Sequence, residues 1–413
     1  MSDAPLTTSD GRPLKAALAQ AQARARRRAF LLVAPLLLFV VITFILPIGQ
    51  MLQRSIYHDG FSSAAPALQA WFEANPPGTA PDEAAYAALA ADLQLMKANR
   101  TAGEAGTRVN YTLPGTRSLF TSSARGADKL EPPFREALLA ENAKWGDPLV
   151  WEAMRSAASP WTSDFYLVAT DMQRTADGGV ERVPEKERIY LKLFGTTFML
   201  SAVITGVCLL LAFPIAHLLA TLPASRANLL MILVLLPFWT SLLVRTSSWI
   251  VLLQGQGVVN NVLVSARLVD DGARWQMIYN MTGTIIVMTH ILLPFMVLPL
   301  YSVMRTIKPA YARAARSLGA TSWTTFRRIY LPQTLPGIAA GALLVFILAV
   351  GYYITPALVG GADGQLFSNL IQFHMSKSNW SVAAALAGML LAGVLVLYWL
   401  YDRLVGIDKL KLG

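Results

Sequence analysis

The sequence predicts an all-α integral membrane protein with six transmembrane helices and a small, mostly helical α+β domain inserted between the first two. Hydrophobic residues make up 54% of the 413 residues and charged residues only 15%, well below the roughly 25% that is typical of soluble domains. Six windows of about 20 mostly apolar residues have the length that a helix needs to cross a bilayer. Helices are expected, because an open sheet cannot satisfy its backbone hydrogen bonds in lipid.

The apolar windows define the predicted organisation of the chain. The six predicted spans are Phe30–Leu52, Leu193–Leu222, Leu229–Leu253, Met277–Val303, Ile338–Pro356 and Ser381–Tyr401. The resulting segments are a tail over 1–28, a first transmembrane helix over 29–52, an insert over 53–190, a core over 191–404 that holds helices 2–6, and a tail over 405–413.

The first span follows a basic stretch, Lys15–Arg28, that is rich in Ala, Gln and Arg. We interpret this stretch as a solvated tail whose arginines set the orientation; a basic helix on the membrane surface is the alternative. A cleaved signal peptide is disfavoured, because the apolar core is long and the nearest small-x-small site, Ala65–Ala67, lies well beyond it. The first span is therefore predicted to be an uncleaved anchor.

Lysine and arginine are distributed unevenly between the loops on the two sides of the predicted membrane. With the N-terminus inside, the inner segments hold sixteen of these residues, twelve of them in 1–28 and 304–335, whereas the short outer loops hold three. Positive charge accumulates on the cytoplasmic side. Both termini are therefore predicted to be cytoplasmic, and the net charge of +10 requires no nucleic-acid partner.

The insert between the first two spans is 138 residues long and, with 14 Lys/Arg against 18 Asp/Glu, mildly acidic. The orientation places it outside. "FYLVAT" from Phe165 and "VERV" from Val180 flank Asp177–Gly179, which predicts a hairpin. A spacer or docking role is favoured over catalysis, because the insert contains no nucleophile–base set. Its core is predicted to form around four tryptophans: Trp71, Trp145, Trp151 and Trp161.

Several chemistries are excluded or disfavoured by the residues present. The single cysteine, Cys208, cannot form an intrachain disulfide, and the four histidines lack metal-ligand spacing. Two of them, His217 and His290, lie in predicted spans, where packing is favoured over a place in a pathway. The chain has no G-x-x-x-x-G-K-[ST] phosphate loop. If transport consumes ATP, another chain must therefore bind the nucleotide and its Mg²⁺, and this chain is predicted to hold no cofactor.

The predicted spans contain one buried charge, Arg245, in "LPFWTSLLVRTSSWIVLL" (Leu236–Leu253). An Arg at membrane depth costs roughly 2.5–3.5 kcal/mol on insertion scales and is expected to face the bundle interior or a water-filled cavity. The alternative is an Arg that extends to the outer interface and fixes helix packing. The candidate pathway residues are Trp239, Ser241, Arg245, Trp249 and Tyr352.

The inner segment 304–335 combines four arginines between Arg313 and Arg328 with small residues and contains no acid. Pro309 suits the first turn of a helix, which would run to Leu318 and end at Gly319 in a left-handed conformation. Ser322 can cap a second short helix that Pro332 would stop. The alternative is an interfacial helix that binds anionic lipid. That explanation accounts for the charge but not for the order of the small residues.

"RAARSLGATSWTTFRRIYLPQTLPGI" resembles the E-A-A-x-x-x-G-A…F-x-x-I-x-L-P motif of the membrane subunits of binding-protein-dependent ABC importers. "LPFWTSLLVRTSSWIVLLQGQGVVNNVL" is similar to the first permease subunit of spermidine/putrescine-type importers. The resemblance covers Leu193–Leu404 and the first span but not the insert. It implies the six-helix fold of ABC importer permeases, in a bacterial inner membrane.

The resemblance implies that segment 304–335 is a coupling loop that sits in a groove of a cytoplasmic ATPase. The implied partners are a second homologous permease, two ATPase subunits, a periplasmic substrate-binding protein and membrane lipid. One position departs from the motif: Arg313 stands where the family usually has Glu, so the facing ATPase surface is predicted to be acidic. The residues expected at this contact are Arg313, Ala314, Ala315, Leu318, Gly319, Ala320, Leu331 and Pro332.

The solute is less well specified than the family. Polyamines are the first expectation, although the spans contain Arg245 and no carboxylate to attract a cation. Thiamine, iron(III) and organic anions are the alternatives. A secondary transporter is the rival from another class, but it would need carboxylates in the spans and, usually, internal repeats. Neither is visible in the sequence.

Overall fold

The computed structural model describes residues 14–175 and 179–405. The chain divides into two compact units, with the division between Arg54 and Ser55. In the part described, five helices are long and apolar enough to cross a membrane, and a sixth candidate is a broken pair of helices. The chain is thus mostly helical, as predicted.

The described part of the first unit, residues 14–54, is a single continuous helix. It consists of α1 (Leu14–Val40), a π-helical turn (Val41–Ile45) and α2 (Leu46–Arg54). The predicted first span lies inside this helix. The stretch Lys15–Arg28, interpreted as a solvated tail, is helical, and its described side chains, those of residues 18–28, are exposed. Ala, Gln and Arg are strong helix formers, and extending an existing helix is easier than nucleating one. The helix of the span therefore continues toward the N-terminus.

The insert is a helical domain, and its first helix begins at Pro66. Its helices are α3 (Pro66–Ala74), α4 (Glu83–Asn99), α5 (Ala102–Asn110), α6 (Thr116–Gly126), α7 (Phe134–Glu141), α8 (Pro148–Ala158) and α9 (Asp164–Ala169). Short 3₁₀ turns lie at Ala127–Lys129, Ala143–Gly146 and Glu185–Glu187. The core contains Trp145, which is fully buried, and Trp151, whose ring packs edge-on against Tyr86. The prediction of a largely helical domain is confirmed, and Trp71, Trp145 and Trp151 belong to its core as predicted. The prediction is wrong for Trp161, which is 59% exposed and lies outside this core.

The hairpin of the insert lies later in the chain than predicted. Strands β1 (Met172–Arg174) and β2 (Val180–Arg182) pair antiparallel, with Gln173 opposite Glu181. "FYLVAT" was expected to be a strand, but it forms most of α9. Phe165 and Ala169, four residues apart, are both fully buried, and this spacing is that of one helix face. Most of the predicted Asp177–Gly179 turn lies outside the described residues.

The core that follows is built from eleven helices. They are α10 (Tyr190–Thr221), α11 (Ala224–Leu235), α12 (Leu242–Leu253), α13 (Val258–Ser265), α14 (Met281–Thr306), α15 (Pro309–Ser317), α16 (Ser322–Thr325), α17 (Leu331–Gly351), α18 (Ile354–Val359), α19 (Phe367–Ser376) and α20 (Trp380–Val405). Helices α10, α14 and α17 form its centre. Gly341 of α17 lies so close to Met296 of α14 that a Cβ would stand 2.8 Å from the Met sulfur. Small residues allow this close approach of membrane helices.

The third predicted span is not one helix. Ala224–Trp239 and Leu242–Ser265 meet at a 99° bend, so the prediction of a continuous helix over Leu229–Leu253 is wrong. Pro237 has no N–H to donate within a helix, and it lies in a 3₁₀ turn, Leu236–Trp239. Thr240 then adopts an extended conformation, which re-aims the chain.

The fifth span ends earlier than predicted. Helix α17 stops at Gly351, and the chain is not helical at Tyr352, so the prediction of a span to Pro356 is wrong. Pro356 has no N–H for a helical bond to the Tyr352 carbonyl, which accepts instead from the Ser368 hydroxyl. The neighbouring Tyr353 carbonyl accepts from Asn369 Nδ2 at 2.8 Å. Helix α19 therefore satisfies the backbone groups that this break exposes.

The insert is joined to the core by a shared buried cluster and by a carboxylate cap. Phe165 and Ala169 of α9 pack in one cluster with Phe367 of α19 and Leu386 of α20. The carboxylate of Asp171 accepts from the backbone N–H groups at the start of α10, those of residues 189, 190 and 191, at 2.8–3.0 Å. A carboxylate at a helix N-terminus satisfies unpaired donors and complements the helix dipole. The insert therefore fixes the start of the second span.

Candidate coupling segment and translocation helices

The candidate coupling segment is residues 304–335. Its first helix, α15, begins and ends as the sequence predicts. Pro309 occupies the first turn, and Gly319 follows the helix with φ +84°. The Ala320 N–H donates to the Ala315 carbonyl at 3.0 Å, and the Gly319 N–H donates to the Arg316 carbonyl at 2.9 Å. This is the Schellman pattern of a left-handed helix end. The turn makes a sharp corner at which nothing lies within 4 Å of a Cβ built on Gly319.

The second coupling helix does not stop at Pro332. Helix α16 leads into a π-helical turn, Phe326–Tyr330, and then directly into α17, so one helical segment runs from Ser322 to Gly351. The Leu331 N–H donates to the Phe326 carbonyl, five residues back. A proline ring clashes with the carbonyl four residues before it, and the wider π turn relieves this crowding. The same arrangement precedes Pro47, where the Leu46 N–H donates to the Val41 carbonyl.

The coupling segment exposes apolar and small side chains. Leu318 is 89% exposed and Trp323 is 68% exposed, although large apolar side chains are usually buried. Trp323 was not among the predicted contact residues. The predicted cap at Ser322 is wrong, because the N-cap is Thr321, whose hydroxyl accepts from the Thr324 N–H at 3.2 Å. The predicted residues divide into an exposed group, Arg313, Ala314, Leu318, Gly319 and Pro332, and a half-buried group, Ala315, Ala320 and Leu331.

Stacked rings connect the coupling segment to the second span. Phe326 stacks on both Trp323 and Tyr330, with centroid distances of 5.7 Å and 6.3 Å. Tyr330 Oη and His217 Nδ1 of α10 form a hydrogen bond of 2.8 Å. We predicted that His217 packs against other side chains and does not line a pathway, and its contact with Tyr330 agrees with that prediction. A displacement of α16 would be transmitted to α10 through these rings.

Arg245 contacts the bend in the third span. Its Nη2 donates to the Thr240 carbonyl at 2.9 Å, and that carbonyl belongs to the extended residue at the break. The nearby hydroxyls of Thr246 and Ser248 donate to backbone carbonyls within α12 and not to other side chains of the bend. The guanidinium thus provides a hydrogen bond to the Thr240 carbonyl, which lies at the bend and outside the helix.

The predicted pathway residues are only partly brought together. Arg245 is close enough to Tyr352 and His290 for electrostatic interaction with both, and Trp249 Nε1 donates to His290 Nδ1 at 3.0 Å. Arg245, Trp249 and Tyr352 therefore share one neighbourhood. Trp239 and Ser241 lie at the bend itself and are exposed, Trp239 by 71%.

The insert contains a buried ionic network. Arg108 is fully buried and donates to Asp164, which also accepts from Arg174 at 2.7 Å and from the Ser156 hydroxyl. Burial alone would raise the pKa of Asp164, but these donors hold it below its ordinary value. Burial raises the pKa of Asp92 to about 6, although this carboxylate accepts from two backbone N–H groups at the start of α3. Because the partners of both carboxylates are structural, we assign the network to folding.

No metal centre is found in the part of the chain that the structure describes, since no three His, Cys, Asp or Glu side chains lie together there. Cys208 is buried among the core helices, and its thiol faces the Thr289 carbonyl at 3.6 Å. The polar groups described above bind and position other parts of the chain.

Comparison with known proteins assigns the family. The family described as "Binding-protein-dependent transport system inner membrane component" matches residues 193–406. The spermidine/putrescine transport system permease protein PotB of Escherichia coli is 34% identical over 221 residues, which cover 52% of this chain and 80% of that protein. PotB of Haemophilus influenzae is 34% identical over 217 residues, covering 52% and 75%.

A solved structure of a bacterial ABC transporter involved in the import of the acidic polysaccharide alginate is similar over 71% of this chain and 100% of that chain, at 20% identity and a TM-score of 0.47. The family match covers α10 to α20 and includes the coupling segment and the bent third span. The chain therefore belongs to the family of inner membrane components of binding-protein-dependent transport systems.

Proposed function

We propose that the chain is a permease subunit of an ATP-driven importer and forms part of its solute pathway. In this proposal it pairs with a second, homologous permease, while two cytoplasmic ATPase subunits bind ATP and Mg²⁺ and a periplasmic binding protein delivers the solute. The chain itself catalyses no reaction. The observation that carries the proposal is the exposed corner at Leu318 and Gly319, between α15 and α16.

The geometry of this corner suits the transmission of a movement. Leu318, Trp323 and Tyr311 (51% exposed) offer apolar area that a partner surface can cover, which is the usual meaning of such a patch. Behind this surface, the stacked rings of Phe326 and Tyr330 reach α10, and α16 continues into α17. An ATPase that pulled the corner would therefore move two core helices together.

The proposed orientation places both termini and segment 304–335 in the cytoplasm and the insert in the periplasm. It is supported by the Lys/Arg distribution. The test uses Cys208→Ser chains that carry a single new cysteine at Ser118 of the insert or Ser317 of the coupling segment, both exposed. We expect a membrane-impermeant maleimide to label only Ser118→Cys in intact spheroplasts. Labelling of Ser317→Cys alone would reverse the orientation.

Polyamines are the solute class that we propose first. The support is the 34% identity to two spermidine/putrescine permeases. Trp249 and Tyr352 offer ring faces of the kind that bind ammonium groups. The sequence has no Asp or Glu from Gly272 to Ala362, so in this proposal the partner permease provides any carboxylate that contacts the solute.

An organic anion is the second candidate. It is favoured by Arg245, the charge inside the third span, whose Nη2 bond to the Thr240 carbonyl leaves guanidinium N–H groups free to bind an anion. The discriminating experiment is a ligand screen on the cognate binding protein. Tight binding of spermidine or putrescine would support the first candidate, and tight binding of an organic anion would support the second.

The importer assignment is tested by purification from native membranes through a tag on this chain. We expect the complex to contain a second permease and an ATPase, and its ATP hydrolysis to rise when loaded binding protein is added. Recovery of the chain without an ATPase, with uptake driven by an ion gradient, would support the secondary transporter instead.

A further inference from the structure

A basic cavity lies between the coupling helix and the ends of the core helices. Its volume is about 590 Å³, and its walls come from α10, the end of α14, α15, α16 and the π turn. Four cationic side chains line it: Arg305, Lys308, Arg313 and Arg316. Binding sites for small molecules are commonly of this size.

The positive charge of this cavity is not balanced by the described part of the chain. None of the four cations forms an ion pair there, and the sequence from Gly272 to Ala362 contains no acid. Arg305 is held in place by Tyr301, since its Nη1 donates to the phenol oxygen and its guanidinium lies 5.7 Å from the ring centroid. The concentrated positive charge attracts an anion.

A buried hydroxyl supplies a second, independent observation. Thr325 lines the same cavity and is only 4% exposed, and its Oγ1 has no hydrogen-bond partner in the structure. Most buried hydroxyls do have a partner, because an unsatisfied polar group costs about 1–3 kcal/mol. Oγ1 itself is covered in the structure, so an oxyanion in the cavity that contacts the cations would reach it only after rotation of the Thr325 side chain.

We propose that this cavity binds a phosphate group. Phosphate oxygens accept hydrogen bonds from guanidinium and ammonium groups in the geometry that makes such bonds strong, and Thr325 Oγ1, once rotated toward the cavity, can donate to the same group. The phosphate can belong to an anionic phospholipid headgroup or to a small soluble phosphate. A bound phosphate would join α15 to the ends of α10 and α14 and would stiffen the coupling segment. The proposal depends on neither the solute nor the membrane orientation.

The test measures binding to the purified, detergent-solubilised full chain, without any ATPase. Native mass spectrometry compares retention of phosphatidylglycerol with retention of phosphatidylcholine, and calorimetry titrates inorganic phosphate against a chloride control. The test variant is Lys308→Gln/Arg316→Gln. The matched control is Arg327→Gln/Arg328→Gln, which removes two exposed arginines of the same segment that do not line the cavity.

We expect phosphatidylglycerol, inorganic phosphate or both to bind, and the test variant to weaken this binding about tenfold. The control should change it by less than about twofold. Thr325→Val keeps the shape of the buried side chain and should weaken binding about fivefold through the lost donor. Binding of the lipid alone identifies a headgroup site, and binding of inorganic phosphate identifies a site open to soluble phosphate. Binding of neither, or equal loss in the two double variants, would overturn the proposal.

Discussion

The inserted helical domain and the membrane-spanning helices bury different kinds of polar side chain. The insert buries ionised groups, among them Arg108 and Asp164, and pairs them with one another. The spans bury hydroxyls, and those of Thr246 and Thr334 donate to carbonyls of their own helix. The exposed side chains differ as well. Leu210 of α10 is 75% exposed, whereas charged side chains such as Glu83 and Lys97 are exposed on the insert.

The difference follows from the surroundings in which each region folds. An ion pair needs the rest of a domain to satisfy its remaining hydrogen bonds, and the compact core of the insert provides these groups. A hydroxyl that bonds within its own helix leaves no polar group facing lipid. Arg245, a charge in the second half of the bent third span, is tolerated because the Thr240 carbonyl at the bend accepts from its guanidinium.

The largest expected effect is on the insert, from Asp164→Asn. This change leaves Arg108 fully buried without its counter-charge, which typically costs about 3–5 kcal/mol. Hydrogen exchange of the full-length protein in detergent should show loss of protection in α5 and α8, with α14 unchanged. The control is Asp128→Asn, which breaks an exposed pair with Lys97 and should cost less than about 1 kcal/mol. Equal loss in α14 would mean that the two regions unfold together.

The second prediction concerns the pH dependence of the insert through Asp92. Burial raises its pKa from 3.8 to about 6, so the folded domain binds this proton more tightly than the unfolded chain. The contribution of Asp92 to stability is then fully present below about pH 4 and lost as the pH rises through about 6. Its full size is about 3 kcal/mol.

The measurement is hydrogen exchange of α3 and α4 at several pH values, corrected for intrinsic exchange, in the natural chain and in Asp92→Asn. The stability difference between the two chains should change by this amount between pH 4 and 7. Taking the difference cancels the opposite contribution of Asp164, whose lowered pKa makes its stabilisation fall as the pH falls. A difference that does not vary with pH would contradict the prediction.

A smaller effect is expected from Arg245→Met in the spans. Met keeps the apolar stem but cannot donate to the Thr240 carbonyl, so the bend should lose about 1.5–3 kcal/mol of charge-assisted bonding. Uptake per folded complex should fall while the amount of extracted complex stays near normal. Arg245→Lys keeps a charged donor and should retain more uptake. Unchanged uptake at equal abundance in the Met variant would place Arg245 outside the pathway.

The apolar windows predicted the existence of the spans because lipid burial depends on composition, but they could not predict the breaks. Pro237 and Pro332 illustrate the reason. Both prolines remove a donor from an apolar helix, yet one accompanies a 99° bend and the other follows a π turn in a continuous helix. Which outcome occurs depends on the partners available to the freed carbonyls, and those partners lie on other helices or further along the chain.

The coupling segment was the more predictable of the candidate sites, since Pro309 and Gly319 act locally. The attachment of the insert was not predictable, because Asp171 caps a helix that begins 19 residues later. The predicted pathway set combined residues that the bend separates. Trp239 and Arg245 are six positions apart in sequence, but the bend places them on different sides of the break.

The central claim, that the corner at Gly319 transmits ATPase movement to the spans, is tested most directly by stimulated ATP hydrolysis in Gly319→Asp. The control is Gly78→Asp in the insert, since Gly78 has a similar φ, +80° against +84°, and equally open space where a Cβ would stand. Both variants carry the same backbone strain and the same new charge. We predict that the purified Gly319→Asp complex loses stimulation by loaded binding protein, whereas Gly78→Asp keeps it. Full stimulation in Gly319→Asp would contradict the account.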